Sequence, residues 1–552
     1  METASQHARN KVALITALVF VVFAFLFALL RSGNIFMVDG AARCIEVFHR
    51  QTIFFHPNNH MLYPVDVLEW NRLLGGLGLK AASAEQYFAH TQLMNCIAGA
   101  GCLAILFYLM SLLPSSVGTA LGVVFAYGLS RAFLLHATNS AEPLVGVFWS
   151  LLAMCFAVLA VKRKSNWPIL ISALFFSLAM ATYQSTILFA PAAIVLIWKG
   201  RSNRDGGGLF STARIVEFCE FTLAGIAACA AIFGWAYSRQ GYRGAGALFE
   251  HFFAHGDARV YLGVGIGKLL NIPIGLVRNI FPLLQRYAGI HSLLAGSKLS
   301  LVSMLLVFGG LCVFLIVYAT RLAARWSSLP AEVQLGIVVA AVGFAFTMIP
   351  VIVWDPNYDK LWLQPLACLA FLVGCGLEPL STDARFRFWM ARVFPALFLA
   401  GVSLNLVWAV QRHEIKSPDL EEAQRLASFV GKQDLVIGEW DSVSTLYGYG
   451  WAENGQFMSF PSEAVLNGSD SVAHLHAAIE AAQKRGGRVY FLAILGDSKK
   501  TWNSFLGSRC GVPYSEFDSY REHSRIRAAF ATDDSQVVLR QYDPAYPAGG
   551  SQ

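Results

Sequence analysis

Eleven stretches of nearly uninterrupted apolar residues recur along the chain and restrict its fold more than any other feature: Val12 to Leu30, Leu93 to Leu113, Val117 to Leu134, Leu144 to Val161, Trp167 to Ala181, Thr186 to Trp198, Phe221 to Tyr237, Leu299 to Thr320, Val333 to Val353, Leu361 to Leu377 and Val393 to Val410. A helix needs about 17 to 25 such residues to cross the hydrocarbon of a bilayer. Of the 552 residues, 56% are hydrophobic and 14% charged, where soluble domains carry roughly a quarter charged residues. The sequence therefore predicts a polytopic α-helical membrane protein with about 11 transmembrane helices. The fifth and sixth stretches are short and meet at Tyr183-Gln184. They read as a helical hairpin, or as one long kinked helix that would invert everything after it.

Orientation follows from Lys and Arg in short loops, which are retained on the cytoplasmic side. With the N-terminus inside, the cytoplasmic segments hold Arg9 and Lys11, then Lys162, Arg163 and Lys164, then Lys199, Arg201, Arg204 and Arg214. Arg321 and Arg325 follow, then Arg385, Arg387 and Arg392. The outer turns around His136 to Glu142 and around Gln184 hold none, and Trp354 to Lys360 holds one; Arg131, at the outer end of the third span, is the other exception. The net charge of +7 is mostly this bias. No basic stripe with interleaved aromatics accompanies it, so nucleic acid is not an expected partner. The first stretch ends at Leu29-Leu30-Arg31 without a small-residue cleavage site and reads as an uncleaved anchor. Eight of the ten cysteines lie in or beside spans, and no local spacing supports a disulfide between the other two, Cys44 and Cys510.

This topology divides the chain into a transmembrane module, residues 1–410, with large outer loops at 31–92 and 238–298, and a soluble tail, residues 411–552. In the tail, Leu420 to Val430 and Ser471 to Lys484 read as helices, and Asp434 to Gly438, Arg488 to Leu492 and Val537 to Gln541 as strands, which predicts a small α/β domain. It holds no phosphate loop, zinc spacing or nucleophile elbow.

Long ordered loops carry function, which places the candidate chemistry outside. Asp39 follows the first span immediately. A carboxylate in a partly desolvated site suits a general base, and the same residue could simply cap the next helix. His56 and His60 are four apart around Pro57, Asn58 and Asn59. That turn-forming run favours substrate hydrogen bonding by His56, Asn59 and His60 over metal ligation. Glu142 opens the fourth span, either as a second acid facing the cavity of Asp39 or as a helix-end carboxylate. Arg278 and Arg286 lie in an aromatic, apolar part of the second loop that reads as interfacial helix, with both cations facing lipid phosphates, or as a helix packed on the bundle. Lys360, at the mouth of the tenth span, could meet a substrate phosphate, snorkel, or pair with Asp355 or Asp359.

This arrangement resembles the GT-C superfamily of membrane glycosyltransferases, in particular the bacterial relatives of protein O-mannosyltransferases and aminoarabinose transferases. The matching residues are Asp39 directly after the first span, Glu142-Pro143 at the start of the fourth, and Lys360-Leu361-Trp362-Leu363-Gln364-Pro365 near the end. The chain departs from the pattern at Gly40, where relatives often have Glu or Ser, and at Tyr183-Gln184, where they often have Lys or Arg. The resemblance implies transfer of a hexosyl or pentosyl group from a polyprenyl-phosphate donor to a hydroxyl of a glycan, lipid or protein acceptor. It implies Asp39 as base, Glu142 as supporting acid and Lys360 on the donor phosphate, without a cofactor; no DxD triplet follows Asp39, which fits metal independence. It implies a bacterial inner membrane, with the N-terminus cytoplasmic and the tail periplasmic.

Two other classes share part of this pattern. A transporter or flippase would use charges near the midplane and repeated halves, whereas the charges here cluster at helix ends. A polysaccharide polymerase also handles lipid-linked sugars outside but usually lacks such a tail. The charge bias makes a direct prediction: alkaline phosphatase, which folds only outside the cytoplasm, should be active when fused after Gln552 and inactive when fused after Arg204. The opposite pattern would reverse the orientation.

Overall fold

The structure is a computed structural model and describes residues 2–32, 38–50, 62–113, 116–163, 165–205, 211–239, 263–282, 298–380, 399–413, 418–439, 441–452, 456–496, 498–531 and 536–545. Its membrane part begins with α1 (Glu2–Leu29), α2 (Val38–Arg50), α3 (Tyr63–Gly76), α4 (Ala84–Ser111), α5 (Val117–Gly128), α6 (Arg131–Ala137), α7 (Glu142–Lys162) and α8 (Trp167–Thr182). It continues with α9 (Ala190–Asp205), α10 (Thr212–Arg239), α11 (Ile266–Ile280), α12 (Lys298–Ala324), α13 (Ala331–Val353), α14 (Leu363–Leu380) and α15, residues 399–413. Among the described residues seven helices are long and apolar enough to cross a membrane. The pair α5 and α6, bent by 70°, makes an eighth if it counts as one span. The fifth and sixth apolar stretches form shorter helices, α8 and α9, and the described part of the eleventh is helical in α15. Large apolar side chains such as Leu14, Phe25, Leu223, Leu306 and Ile316 stand exposed on α1, α10 and α12. A surface of that kind is stable against lipid and not against water. The chain is a multi-pass membrane protein.

The break at Tyr183 is a chain reversal. Tyr183 is extended and a 3₁₀ turn, Gln184–Phe189, follows it. Tyr183 and Thr186 lie against Gly146 near the start of α7. Arg201, late in α9, donates to the carbonyls of Ala160 (2.7 Å) and Ser165 (2.8 Å) at the other end of α7. Thus α9 returns antiparallel to α8, as a hairpin. Arg201 and Arg214 share the Glu217 carboxylate there, so these buried cations are matched locally.

The tail is a five-stranded sheet in the order β2-β1-β3-β5-β4, formed by β1 (Leu435–Gly438), β2 (Phe457–Ser459), β3 (Val489–Leu492), β4 (Ser524–Ala531) and β5 (Gln536–Tyr542). The first three are parallel, and β5 pairs antiparallel with both β3 and β4. Both faces are covered, as buried parallel strands require. Leu435, Ile437, Val489 and Phe491 pack against α18 (Phe460–Asn467) and α19 (Ser471–Lys484). On the opposite face Val436, Tyr490 and Leu539 join α16 (Pro418–Phe429) and α17 (Ser442–Gly450) in one core with Ala41, Ile45 and Val47 of α2 and Val67 of α3. The tail therefore shares its interior with the first loop of the membrane part. Cys44 lies in that core and Cys510 in the other, and no disulfide joins them.

Candidate active site

The site is assembled at the end of the bundle that carries the tail, around the turn 138–142. This turn has buried backbone, so its polar groups need partners. Gln92 and Asn95, one turn apart on α4, supply them: Gln92 donates to the Thr138 carbonyl (3.4 Å) as well as to that of Ser32 (2.8 Å), and Asn95 to the Ala141 carbonyl (2.7 Å). The Ser32 amide in turn donates to the Thr138 carbonyl (3.0 Å). The turn is fixed from two sides before any catalytic residue is considered.

Asp39 is the second residue of α2, and Gly40 after it explains how that helix is placed. A Cβ at position 40 would stand 2.1 Å from the Ser140 carbonyl oxygen and 3.2 Å from Ala141 Cα. Ser140 Oγ donates to the Gly40 carbonyl (3.2 Å) and shares a hydrogen bond with the Tyr63 hydroxyl (2.8 Å). The first turn of α2, the start of α3 and the turn before α7 are thereby tied at one point. The departure from Glu or Ser at position 40 is a steric requirement of this contact.

Glu142 is the first residue of α7, and Ala141 occupies the cap position without a side-chain cap. The carboxylate turns instead to Lys360, with Oε1 3.5 Å from Nζ and both side chains at most 10% exposed. The Lys360 ammonium also lies 4.6 Å from the centre of the Tyr358 ring and 5.9 Å from that of Tyr183, within the range of cation–π attraction. Lys360 thus pairs with Glu142, because its other sequence candidates are engaged elsewhere. Asp355 accepts from the Asn357 amide (2.8 Å), and Asp359 binds two arginines.

Those arginines correct one expectation. Arg278 does not face lipid: its side chain is fully buried, 3.0 Å from Asp359, and it also donates to the Asn357 carbonyl. Arg131 approaches the same carboxylate at 3.4 Å. One acid shared by two buried cations holds the loop bearing Lys360 onto α6 and α11. Arg131 and Asp359 escaped the sequence reading as a site pair, although Arg131 stood out there as a cation at the wrong end of a span. His56, Asn59, His60 and Arg286 lie outside the described residues.

Asp66 on α3 was also missed. Its Oδ2 is buried without a hydrogen-bond partner among the described residues, and burial pushes its pKa up to about 8. A carboxyl raised in the fold contributes stability that is complete below its unfolded value of 3.8 and is lost as pH rises through about 8. Asp66→Asn should therefore change the unfolding temperature in detergent little at pH 5 and raise it at pH 9. Gly40→Ala should lower it at both, through an overpacking cost of about 1–3 kcal/mol in stability, because backbone on the far side cannot rotate away.

No protein-family model and no curated protein matches the chain. Two solved structures share its fold over nearly their whole length. ArnT from Cupriavidus metallidurans bound to undecaprenyl phosphate is 13% identical with a TM-score of 0.54, covering 98% of this chain and 99% of that one. ArnT from the same organism in the apo state is 11% identical with a TM-score of 0.56, covering 100% of both chains. From the first helix to the last strand, the chain has the fold of ArnT.

Proposed function

We propose that this chain moves a sugar from a polyprenyl-phosphate donor to an acceptor hydroxyl at the outer face of a bacterial inner membrane, with the tail on that face. The observation that carries the reading is the contact at Gly40, which sets the helix of Asp39 against the turn that leads into Glu142 and its partner Lys360. An acid position and a buried ammonium so juxtaposed supply what displacement at an anomeric carbon needs. The similar ArnT fold, in a structure bound to undecaprenyl phosphate, supports a lipid-linked donor.

In this mechanism Asp39 accepts the proton of the acceptor hydroxyl while the oxygen attacks the anomeric carbon. The bond from that carbon to the phosphate oxygen breaks, and the phosphate departs with the electron pair. Lys360 offsets the charge that develops there, an electrostatic role that replaces a general acid. Glu142 is a positioning residue: it holds the ammonium against Tyr183 and Tyr358. Relatives often carry a cation at the break between the fifth and sixth spans. Here Tyr183 occupies that break and offers its ring to Lys360. Arg278 with Asp359 keeps the loop that bears Lys360 in place.

Purified protein with a polyprenyl-phosphate-linked sugar and a hydroxyl acceptor tests the assignment. Asp39→Asn should lower kcat by about 10²–10⁴ and leave KM for the donor within a few-fold. Lys360→Gln should lower kcat and raise the donor KM together. Full transfer by the Asp39 variant would remove the proposed base.

A further inference from the structure

The helical period of α2 assigns three of its directions. Gly40 meets Ser140, and Cys44 meets Thr91 at 3.0 Å, so one face lies on the bundle. Ile45 meets Gly450, and the His49 ring lies 4.8 Å from that of Trp451, so a second face lies on the tail. The third direction holds Arg43 and Glu46. Arg43 stands four residues after Asp39, the spacing that puts two helical positions on one face about 5–6 Å apart.

Arg43 is only 6% exposed, and its Nη1 is buried without a hydrogen-bond partner among the described residues. Glu46 Oε2 is 3.9 Å away, beyond hydrogen-bond reach, and the Tyr449 ring of the tail lies 5.3 Å from the guanidinium carbon. The other buried arginines each have a carboxylate within hydrogen-bond distance: Arg131 and Arg278 use Asp359, and Arg201 and Arg214 use Glu217. Leaving a buried charged donor unsatisfied costs more than a lost neutral hydrogen bond. The missing acceptor is therefore expected from a ligand, and a planar guanidinium suits a phosphate that presents two oxygens.

We infer that Arg43 binds the phosphate of the lipid-linked donor, on the same face of α2 as the base. This rests on the glycosyl-transfer reading above. In a displacement the base and the leaving oxygen lie on opposite sides of one carbon, and the separation of one helical turn leaves room for that carbon between them. Lys360 and Arg43 then contact different oxygens of one phosphate, and Tyr449 gives the tail a part in donor recognition.

The test is equilibrium binding to the full chain in nanodiscs of neutral phospholipid, with polyprenyl monophosphate as probe and polyprenol, inorganic phosphate and phosphatidylglycerol as comparisons. Wild type should prefer the monophosphate over all three. Arg43→Gln should weaken it at least tenfold and leave polyprenol unchanged, Arg43→Lys should recover part of the loss, and Asp39→Asn should bind normally while losing transfer. Unchanged binding by a folded Arg43→Gln overturns the assignment, as does equal competition by phosphatidylglycerol or inorganic phosphate. A wild type that does not distinguish monophosphate from polyprenol overturns the donor class itself, which is a separate failure. Should Arg43→Gln not fold, Glu46→Gln decides: removal of the neighbouring negative charge should tighten the monophosphate several-fold, and no change refutes the role of Arg43.

Discussion

At Gly40 two backbones touch with no space for a side chain, and much of the candidate site depends on that contact. It fixes where α2 begins, hence where Asp39 stands relative to Glu142. The contact holds because the turn 138–142 is itself held, its Thr138 and Ala141 carbonyls accepting from Gln92 and Asn95 of α4. Buried backbone without partners would cost several kcal/mol per group in the membrane, so the polar face of α4 is a structural necessity. A site made of residues from α2, α7 and the loop before α14 can be held to within a fraction of an ångström only if such a frame exists.

Charge in the bundle is handled by sharing. Asp359 serves Arg131 and Arg278, Glu217 serves Arg201 and Arg214, and Glu142 serves Lys360. Removing one member of such a group leaves an uncompensated buried ion, which is worth several kcal/mol. The first two groups sit at opposite ends of the bundle and each clamps a connection to neighbouring helices. The third lies between two aromatic rings, where a phosphate could take over the ammonium at modest rearrangement.

How much of this was legible in the sequence differs by element. The spans were, since hydropathy over about 20 residues reports directly on bilayer crossing, and the hairpin was visible as two short stretches meeting at Tyr183. In the tail, β1, β3, β5 and the helix Ser471–Lys484 followed from period and composition. Strand β2 is three residues long, too short for a pattern, and β4 carries Arg525 and Arg527 on its exposed edge, which masks its alternation. Glu142 and Lys360 were named from the sequence as candidates, but their pairing was not, because 218 residues separate them. Arg278 was left between two readings for a related reason: an amphipathic stretch looks the same whether its cation meets a lipid phosphate or a buried Asp359.

The shared interior of tail and first loop has a consequence for how such proteins diverge. Because α17 packs directly on α2, with Gly450 against Ile45, the tail is not a cargo module on a tether but part of the packing that holds α2. Exchange of tails between homologous chains would bring a foreign surface against the helix that bears Asp39. A functional chimera would have to inherit α2 together with the tail, although more than 350 residues of sequence lie between them. Selection on the tail is in this sense selection on the placement of α2.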